Sequence, residues 1–339
     1  MPEIAVVIPF YQRSPGILAR ALESVRRQEI SDFDVRIVIV DDASPMSLAD
    51  ELKSIRTMPG GRLEVITQSN GGPGAARNAA LHRLTNDPPD FVAFLDSDDQ
   101  WEPHHLRRAL GVMGNSVDFY GADHRRLGEA GTFFDLRREA RETLKRFGVS
   151  RIVDQAPVFD LNGSKAVQAF VENYLVQTYT VVLRWSRLMD IRFDSSLRAA
   201  GEDHLFWLDS SSVARVCAID LKMGSSCLDG VNIYENAVSW DDGATLKRAY
   251  YLMQLWYKAK VRFSGDAEVV DAINVRLKNH RRFFAYLWIR GLSRRRDMNL
   301  PLLRDIAASD RRAIPSLIGA LVGLSFDRWR KGSFAFVEH

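Results

Sequence analysis

The sequence predicts an α/β protein: a mostly parallel, doubly wound sheet with a C-terminal helical appendage. Two observations predict it. Short apolar runs alternate with helix-like stretches through the first hundred residues, the pattern of a sheet covered by helices on both faces. From Ala244 onward the pattern is helical to near the end.

Strand-like runs lie at residues 4–9, 35–40, 63–67 and 91–95. They lack strict alternation of apolar and polar side chains, as strands buried on both faces do. Helix-like stretches at 17–28, 47–56 and 75–84 fall between them. Residues 110–170 carry a charged helix-like stretch near 136–146 among mixed segments, and loops that shape a substrate cleft are expected there. Residues 178–183 are β-branched and read as a strand. Gly201-Glu202-Asp203-His204 reads as a loop entering a helix. The expected organisation is a nucleotide-binding half at 1–110, an acceptor-binding half of the same domain at 111–240 and a basic helical region at 241–339.

With 339 residues, 46% of them hydrophobic, the chain can bury a substantial core without disulfides. Cys217 and Cys227 have no zinc-type spacing and are expected as buried thiols in a reducing compartment. The first strand run follows Met1 closely with no basic segment before it, so a cytoplasmic location is expected. Charge is uneven: residues 276–339 hold 14 Lys and Arg against 5 Asp and Glu, or +9, so the rest carries −6 within a total of +3.

In a doubly wound sheet, ligands gather beyond the C-terminal ends of the strands. Those places hold Pro9-Phe10-Tyr11-Gln12-Arg13, Asp41-Asp42-Ala43-Ser44, Asn70-Gly71-Gly72-Pro73-Gly74 and Asp96-Ser97-Asp98-Asp99. Carboxylates two residues apart in the last of these suit a hard divalent cation shared with phosphates, although a solvated turn or helix cap uses the same residues. Asp41-Asp42 could accept hydrogen bonds from a nucleobase or ribose, or cap the following helix. The glycine run before Ala75-Ala76-Arg77-Asn78 leaves backbone N–H groups free at a helix start, where an anion is favoured. It lacks the third glycine of a dinucleotide fingerprint and follows the third strand rather than the first, which disfavours an oxidoreductase. Glu202-Asp203 suits a general base on a rigid helix, or is simply the acidic start that helices favour.

Together these motifs resemble glycosyltransferase family 2. Ile8-Pro9-Phe10-Tyr11, Val40-Asp41-Asp42-Ala43-Ser44, Gly72-Pro73-Gly74-Ala75-Ala76-Arg77-Asn78, Phe94-Leu95-Asp96-Ser97-Asp98-Asp99 and Gly201-Glu202-Asp203 stand in the family's order, across residues 4–210. The resemblance implies the GT-A fold and an inverting, metal-dependent hexosyltransferase using a UDP-sugar, UDP-glucose first among them. Pro9, Tyr11, Asp42, Arg77 and Asp96 would contact the nucleotide, with Phe10, Arg13, Gly74 and Ser97 completing the donor-binding set. Asp98 would hold Mn²⁺ or Mg²⁺, Asp99 sharing or replacing it, and Asp203 would be the catalytic base. His104, His105 and His204 lie nearby, but nothing in their spacing selects one as a metal ligand. The sequence after Asp203, His204-Leu205-Phe206-Trp207-Leu208, departs from the Gln-x-x-Arg-Trp of the family's processive synthases and points to single-sugar transfer.

The expected acceptor is a glycan or lipid-linked saccharide of a surface polysaccharide. Residues 278–296 hold seven Lys and Arg and no acids, interleaved with Phe283, Phe284, Tyr286, Leu287, Trp288 and Ile289. Such a helix can lie against a membrane interface at the inner face of the cytoplasmic membrane, or cover the catalytic domain or a second subunit in a homodimer. The apolar run 314–326 is too short to span, and Arg328-Trp329-Arg330-Lys331 follows it. No nucleic-acid motif accompanies the charge. Two rivals stand beside this reading. A nucleotidyltransferase would place a basic, glycine-rich loop after the first strand, and a glycan-binding module could keep the fold without turnover.

Overall fold

The computed structural model describes residues 1–29, 31–53, 62–126, 128–227, 243–293 and 300–309. The chain forms two compact units, one comprising Met1–Arg198 and Glu202–Val231, the other Ala199–Gly201 and the remainder.

The first unit is built on a sheet whose opening strands, β1 (Glu3–Phe10), β2 (Asp34–Asp41), β3 (Arg62–Thr67) and β4 (Phe91–Phe94), are all parallel in the order β3-β2-β1-β4. Residues 4–8 are fully buried, as a strand covered on both faces requires. Arg36 breaks the apolar run of β2, yet its guanidinium is buried among Glu3 (3.0 Å), Asp87 (2.9 Å) and Glu64 (3.6 Å). These carboxylates gather at the N-terminal ends of the strands, the edge opposite the ligand loops. Helices α1 (Ile17–Arg26), α2 (Leu48–Lys53) and α3 (Pro73–Thr85) are the crossovers. The first buries Leu18, Ala21, Leu22 and Val25 on one stripe against β1 and β2.

The sheet continues through β9 (Val181–Arg184), β6 (Phe119–Arg126), β10 (Cys217–Cys227), β8 (Ala156–Leu161) and β7 (Val149–Val153), with β5 (Asp99–Trp101) paired to β10. Because β9 is antiparallel to both β4 and β6, and β10 is parallel to β6, the long strands β6 and β10 run in the direction of β1–β4. Their C-terminal ends therefore reach the same edge. Helix α4 (His105–Met113) packs on β6 and β10, tied by the buried Arg108–Asp220 pair (2.6 Å), to which the Tyr120 hydroxyl also donates (3.0 Å).

Residues 110–170 are not the loops expected. They hold β6, α5 (Phe133–Leu136), α6 (Arg138–Phe147), β7, β8 and α7 (Gly163–Glu172). The reason lies in local chemistry. The β7–β8 hairpin turns on Asp154-Gln155, both with positive φ (43° and 65°), a primed turn made without the Asn-Gly or Asp-Gly pair that announces one. The helix expected near 136–146 is α6, and the short α5 before it opens on a capping box in which Thr132 and Asp135 exchange hydrogen bonds and ends at Arg137. The strand expected at 178–183 opens as a 3₁₀ turn, Thr178–Thr180, before β9 begins. After it come α8 (Trp185–Leu188) and α9 (Glu202–Val213).

The second unit contains α10 (Gly243–Arg262), α11 (Ala267–Ser293) and α12 (Leu300–Ser309). Its core joins Leu246, Ala249, Met253, Phe284, Leu287 and Ile306, with Phe283, Tyr286 and Trp288 partly buried against it. Aromatic residues of the basic stretch are thus used inward. Among the described residues no helix is long and apolar enough to cross a membrane. The run 314–326, Arg328-Trp329-Arg330-Lys331 and the expected boundary at 240/241 lie outside the described residues.

Candidate active site

The four motif loops emerge side by side because the parallel register aligns Phe10 with Asp41 and Asp41 with Thr67 at the sheet's C-terminal edge. In the first loop Phe10 is fully buried in the core, so it can meet a ligand only through its backbone, and its carbonyl accepts the Asp42 N–H (3.0 Å). Pro9 is partly buried, whereas Tyr11 and Arg13 are exposed at the edge. Gln12, given no role from sequence, is buried and donates to Ser97 Oγ (2.7 Å), while the Ser44 hydroxyl accepts its backbone N–H (2.9 Å). One residue therefore joins the first, second and fourth loops, the second through its backbone and the fourth through its side chain.

Asp42 shapes the third loop. Its carboxylate accepts hydrogen bonds from the backbone N–H groups of Gly71 and Gly72 (both 2.8 Å) and from Gln68 Nε2 (2.7 Å). Gly72, at φ 86°, turns the chain into α3, where Pro73 costs no hydrogen bond because the first turn has no acceptor for its nitrogen. A Cβ on Gly74 would stand 3.1 Å from Glu202 Cγ and 3.4 Å from Phe193 Cβ, so any larger residue would press on Glu202 of α9.

Arg77 lies buried one turn into α3. Its guanidinium pairs with Asp96 (2.6 Å), stands 3.7 Å from Glu202 and covers the Phe193 ring at 5.4 Å from its centroid. Burial works against its charge, but the carboxylates of Asp96, Glu202 and Asp203 outweigh it and raise its pKa above the ordinary value. Nε and Nη1 are buried without a hydrogen-bond partner. Such donors are open to an anion arriving at the helix N-terminus.

The acidic loop crowds three carboxylates into one turn, closed by the Asp99 N–H donating to the Asp96 carbonyl (3.0 Å). Burial, then the charge of Asp96, pushes Asp98 up to about 6. Asp99 is raised well above the ordinary carboxylate range by burial and by Asp96 and Asp98, and its Oδ1 is buried without a partner. Cys227 is not fully buried as expected; it faces Asp99 across the β5–β10 pair and its thiol hydrogen-bonds to that carboxylate. An orphaned oxygen on Asp99 beside the repelling carboxylates of Asp96 and Asp98 is what a divalent cation would satisfy, so these residues fit one. Among the described residues no cluster of three or more His, Cys, Asp and Glu converges on a metal position.

Glu202 and Asp203 open α9. Glu202 is buried, and desolvation with the neighbouring Asp203 pushes it up to about 8. Asp203 is partly buried; its Oδ1 accepts the His204 N–H (2.6 Å) and its Oδ2 the Tyr174 hydroxyl. The three histidines turn elsewhere. His104 and His204 meet the carbonyls of Met223 (3.1 Å) and Phe170 (2.6 Å), and His105 is buried against Trp101, its pKa lowered to about 3.

Sequence reasoning passed over Gln12, Tyr174 and Phe193. The Asn78 amide donates to the Phe193 carbonyl (2.8 Å) and accepts its N–H (2.9 Å), while the Phe193 ring stacks on Phe206 of α9 (3.9 Å, 7°). That staple binds the helix of Arg77 to the helix of Asp203. Asn78 stood in the quoted motif; Phe193 and Tyr174 had no local signal, because their partners lie 115 and 29 residues away.

A family model described as glycosyl transferase family 2 matches residues 5–170. The succinoglycan biosynthesis protein ExoW of Rhizobium meliloti is 32% identical over 325 residues, 95% of this chain and 99% of that protein. The crystal structure of Staphylococcus aureus TarS 1–349 in complex with UDP-GlcNAc superposes with a TM-score of 0.56 at 18% identity, covering 98% of this chain and 93% of that one. A mannosyltransferase of Pyrobaculum calidifontis in complex with GDP-Man and Mn²⁺ gives 0.53 at 15% identity, covering 96% and 88%. The structural matches share the fold, which is GT-A.

Proposed function

The chain belongs to glycosyl transferase family 2, and from that premise we propose that it is an inverting, metal-dependent hexosyltransferase of surface or exopolysaccharide synthesis. It takes UDP-glucose or a related UDP-hexose and forms a β linkage on a glycan or lipid-linked saccharide. The observation that carries this is the grouping of the acidic loop, the guanidinium of Arg77, which spends Nη2 on Asp96 and keeps Nε and Nη1 without hydrogen-bond partners, and the carboxylate of Asp203. The functions of relatives agree: ExoW is a succinoglycan biosynthesis protein, and TarS, a poly(ribitol-phosphate) β-N-acetylglucosaminyltransferase, binds UDP-GlcNAc.

A divalent cation at Asp98 and Asp99 would supply Lewis-acid stabilisation of the departing diphosphate. Arg77 and the N-terminus of α3 add positive potential beside it. Tyr11, at the exposed end of β1, borders the nucleotide, and Asp42 holds the glycine loop in the shape that lets phosphate approach. Asp203 takes the proton from the acceptor hydroxyl as that oxygen attacks the anomeric carbon. No covalent intermediate is needed, so the anomeric centre inverts. In place of the basic, glycine-rich loop that a nucleotidyltransferase puts after its first strand stands Pro9-Phe10-Tyr11-Gln12-Arg13, which favours sugar transfer.

Proton NMR of the sugar released from UDP-glucose with Mn²⁺ tests the reading: β-glucose appearing first supports inversion, and α-glucose first overturns it. Release from a different UDP-hexose changes only the donor. The basic stretch of α11 supports peripheral contact with anionic lipid, the homodimer being the other use of its aromatic residues. Co-sedimentation with phosphatidylglycerol vesicles that falls on charge reversal at Lys278 and Arg282, against the mass in solution, separates them.

A further inference from the structure

Asp203 stands at the first turn of α9, and its two oxygens are treated differently. Oδ1 accepts the N–H of the next residue, His204 (2.6 Å), a contact internal to the helix start. Oδ2 accepts the hydroxyl of Tyr174, which comes from a different element. Tyr174 itself is fixed from both sides. It follows Asn173, the residue that ends α7, whose N–H returns to the Ala169 carbonyl (3.0 Å) and whose amide donates to Thr143 Oγ1 (2.6 Å) in the interior. Its ring meets the His204 ring edge-on (centroids 5.3 Å, 77°), and His204 is anchored on the Phe170 carbonyl of α7 (2.6 Å). The phenol is a donor on a rigid mount, aimed at one oxygen of the proposed base.

We propose that Tyr174 is the positioning residue of the catalytic carboxylate: its hydroxyl fixes the rotation of Asp203 and leaves the remaining lone pairs facing the acceptor. The inference rests on Asp203 being the general base. In the step it serves, the acceptor oxygen bonds to the anomeric carbon, the bond from that carbon to the phosphate oxygen breaks, and the diphosphate leaves with the electron pair. The acceptor's proton goes to Asp203, and Tyr174 keeps its own. The charged and titratable groups around Asp203 act in both directions: Glu202 opposes its charge, Arg77 supports it, and His204 and Tyr174 border it.

Tyr174→Phe keeps the ring and its edge contact while deleting the donor. The readout independent of turnover is the carboxyl-carbon NMR titration of Asp203, assigned by the signal that Asp203→Asn removes. Its midpoint is expected to rise by about one pH unit, the effect of losing a hydrogen bond to a charged group. Site-specific 3-fluorotyrosine, a stronger donor of the same shape, is expected to lower it, and this second substitution guards against a folding defect in the first. The rate of UDP release from the UDP-hexose that the native enzyme turns over should fall roughly tenfold in Tyr174→Phe, with the acid limb of its pH profile displaced upward and UDP–Mn²⁺ affinity unchanged. An unmoved midpoint in both substitutions, with an unmoved acid limb, overturns the role of Tyr174. Turnover that survives Asp203→Asn overturns the base assignment instead, whatever the titration shows.

Discussion

The donor loops and the surroundings of Asp203 occupy one catalytic unit but are held by different means. On β1–β4 the parallel register itself delivers each loop to the edge, and many of the contacts that finish the site end on backbone groups of a neighbouring loop: Asp42 to Gly71 and Gly72, Ser44 to Gln12, Phe10 to Asp42, with Gln12–Ser97 and Arg77–Asp96 the side-chain pairs among them. Around α9 the site is held by side chains from distant elements: Tyr174 on Asp203, His204 on Phe170, Asn78 on Phe193, Phe193 on Phe206. The lesson is about tolerance. A backbone-shaped loop survives most side-chain changes outside its glycines and anchors, whereas a side-chain network fails at any of its members.

The sharpest way to break this comparison is at Asp203. Asp203→Asn, nearly isosteric, is expected to lower transfer by about 10²–10⁴-fold as a general base is lost, with metal-dependent UDP binding, on the other side of the division, left within a factor of two or so. Loss of both in a titration calorimetry experiment would show that Asp203 supports the whole edge rather than one step.

Asn78→Ala probes the staple between the two regions. It removes two hydrogen bonds to the Phe193 backbone, and a stability loss of about 1–3 kcal/mol is expected because buried peptide groups are left without partners. Urea unfolding measures this. Transfer should fall further than UDP affinity, since the separation of α3 from α9 disturbs Asp203 more than the loops; equal losses would contradict the division.

A smaller effect is expected from Glu202→Gln. In the folded chain Glu202 is raised from 4.5 to about 8, chiefly by burial, so the folded state binds its proton more tightly than the unfolded state does. Stability from this group is therefore complete below about 4.5 and is lost as pH rises toward 8. The amide should abolish that loss and melt higher than the native protein at pH 8, by roughly 2–4 °C per kcal/mol relieved. The gap should close at pH 4. A gap that persists there would point to packing rather than protonation.

The same division explains what could be read from the sequence. The parallel half was legible because its strands are apolar runs, its crossovers are short and its loops carry residues with narrow physical uses, such as Gly72 at positive φ and Pro73 at a helix start. The doubly wound topology then sets the motifs side by side as third, second, first and fourth along the edge. Apart from the helix near 136–146, residues 110–170 were not legible, because Asp154-Gln155 makes a primed turn without its usual residues and leaves the β7–β8 hairpin unannounced. Asp203 could be named, whereas Tyr174 and Phe193, which hold its surroundings, could not. Phe10, read with the donor set, turned out to be core: a strand's last residue points inward or outward by register, and its side chain took the inner face.

The central claim is that a diphosphate nucleotide binds this edge together with a cation at Asp98 and Asp99. The direct measurement is the thermal midpoint of the native chain and of Asp98→Asn with UDP, with and without Mn²⁺, since a ligand that binds only the folded state raises its stability. The account predicts stabilisation by UDP that requires Mn²⁺ and is largely lost in Asp98→Asn. Stabilisation by UDP that is the same without Mn²⁺ and in Asp98→Asn, or stabilisation by NADP instead of UDP, would contradict it.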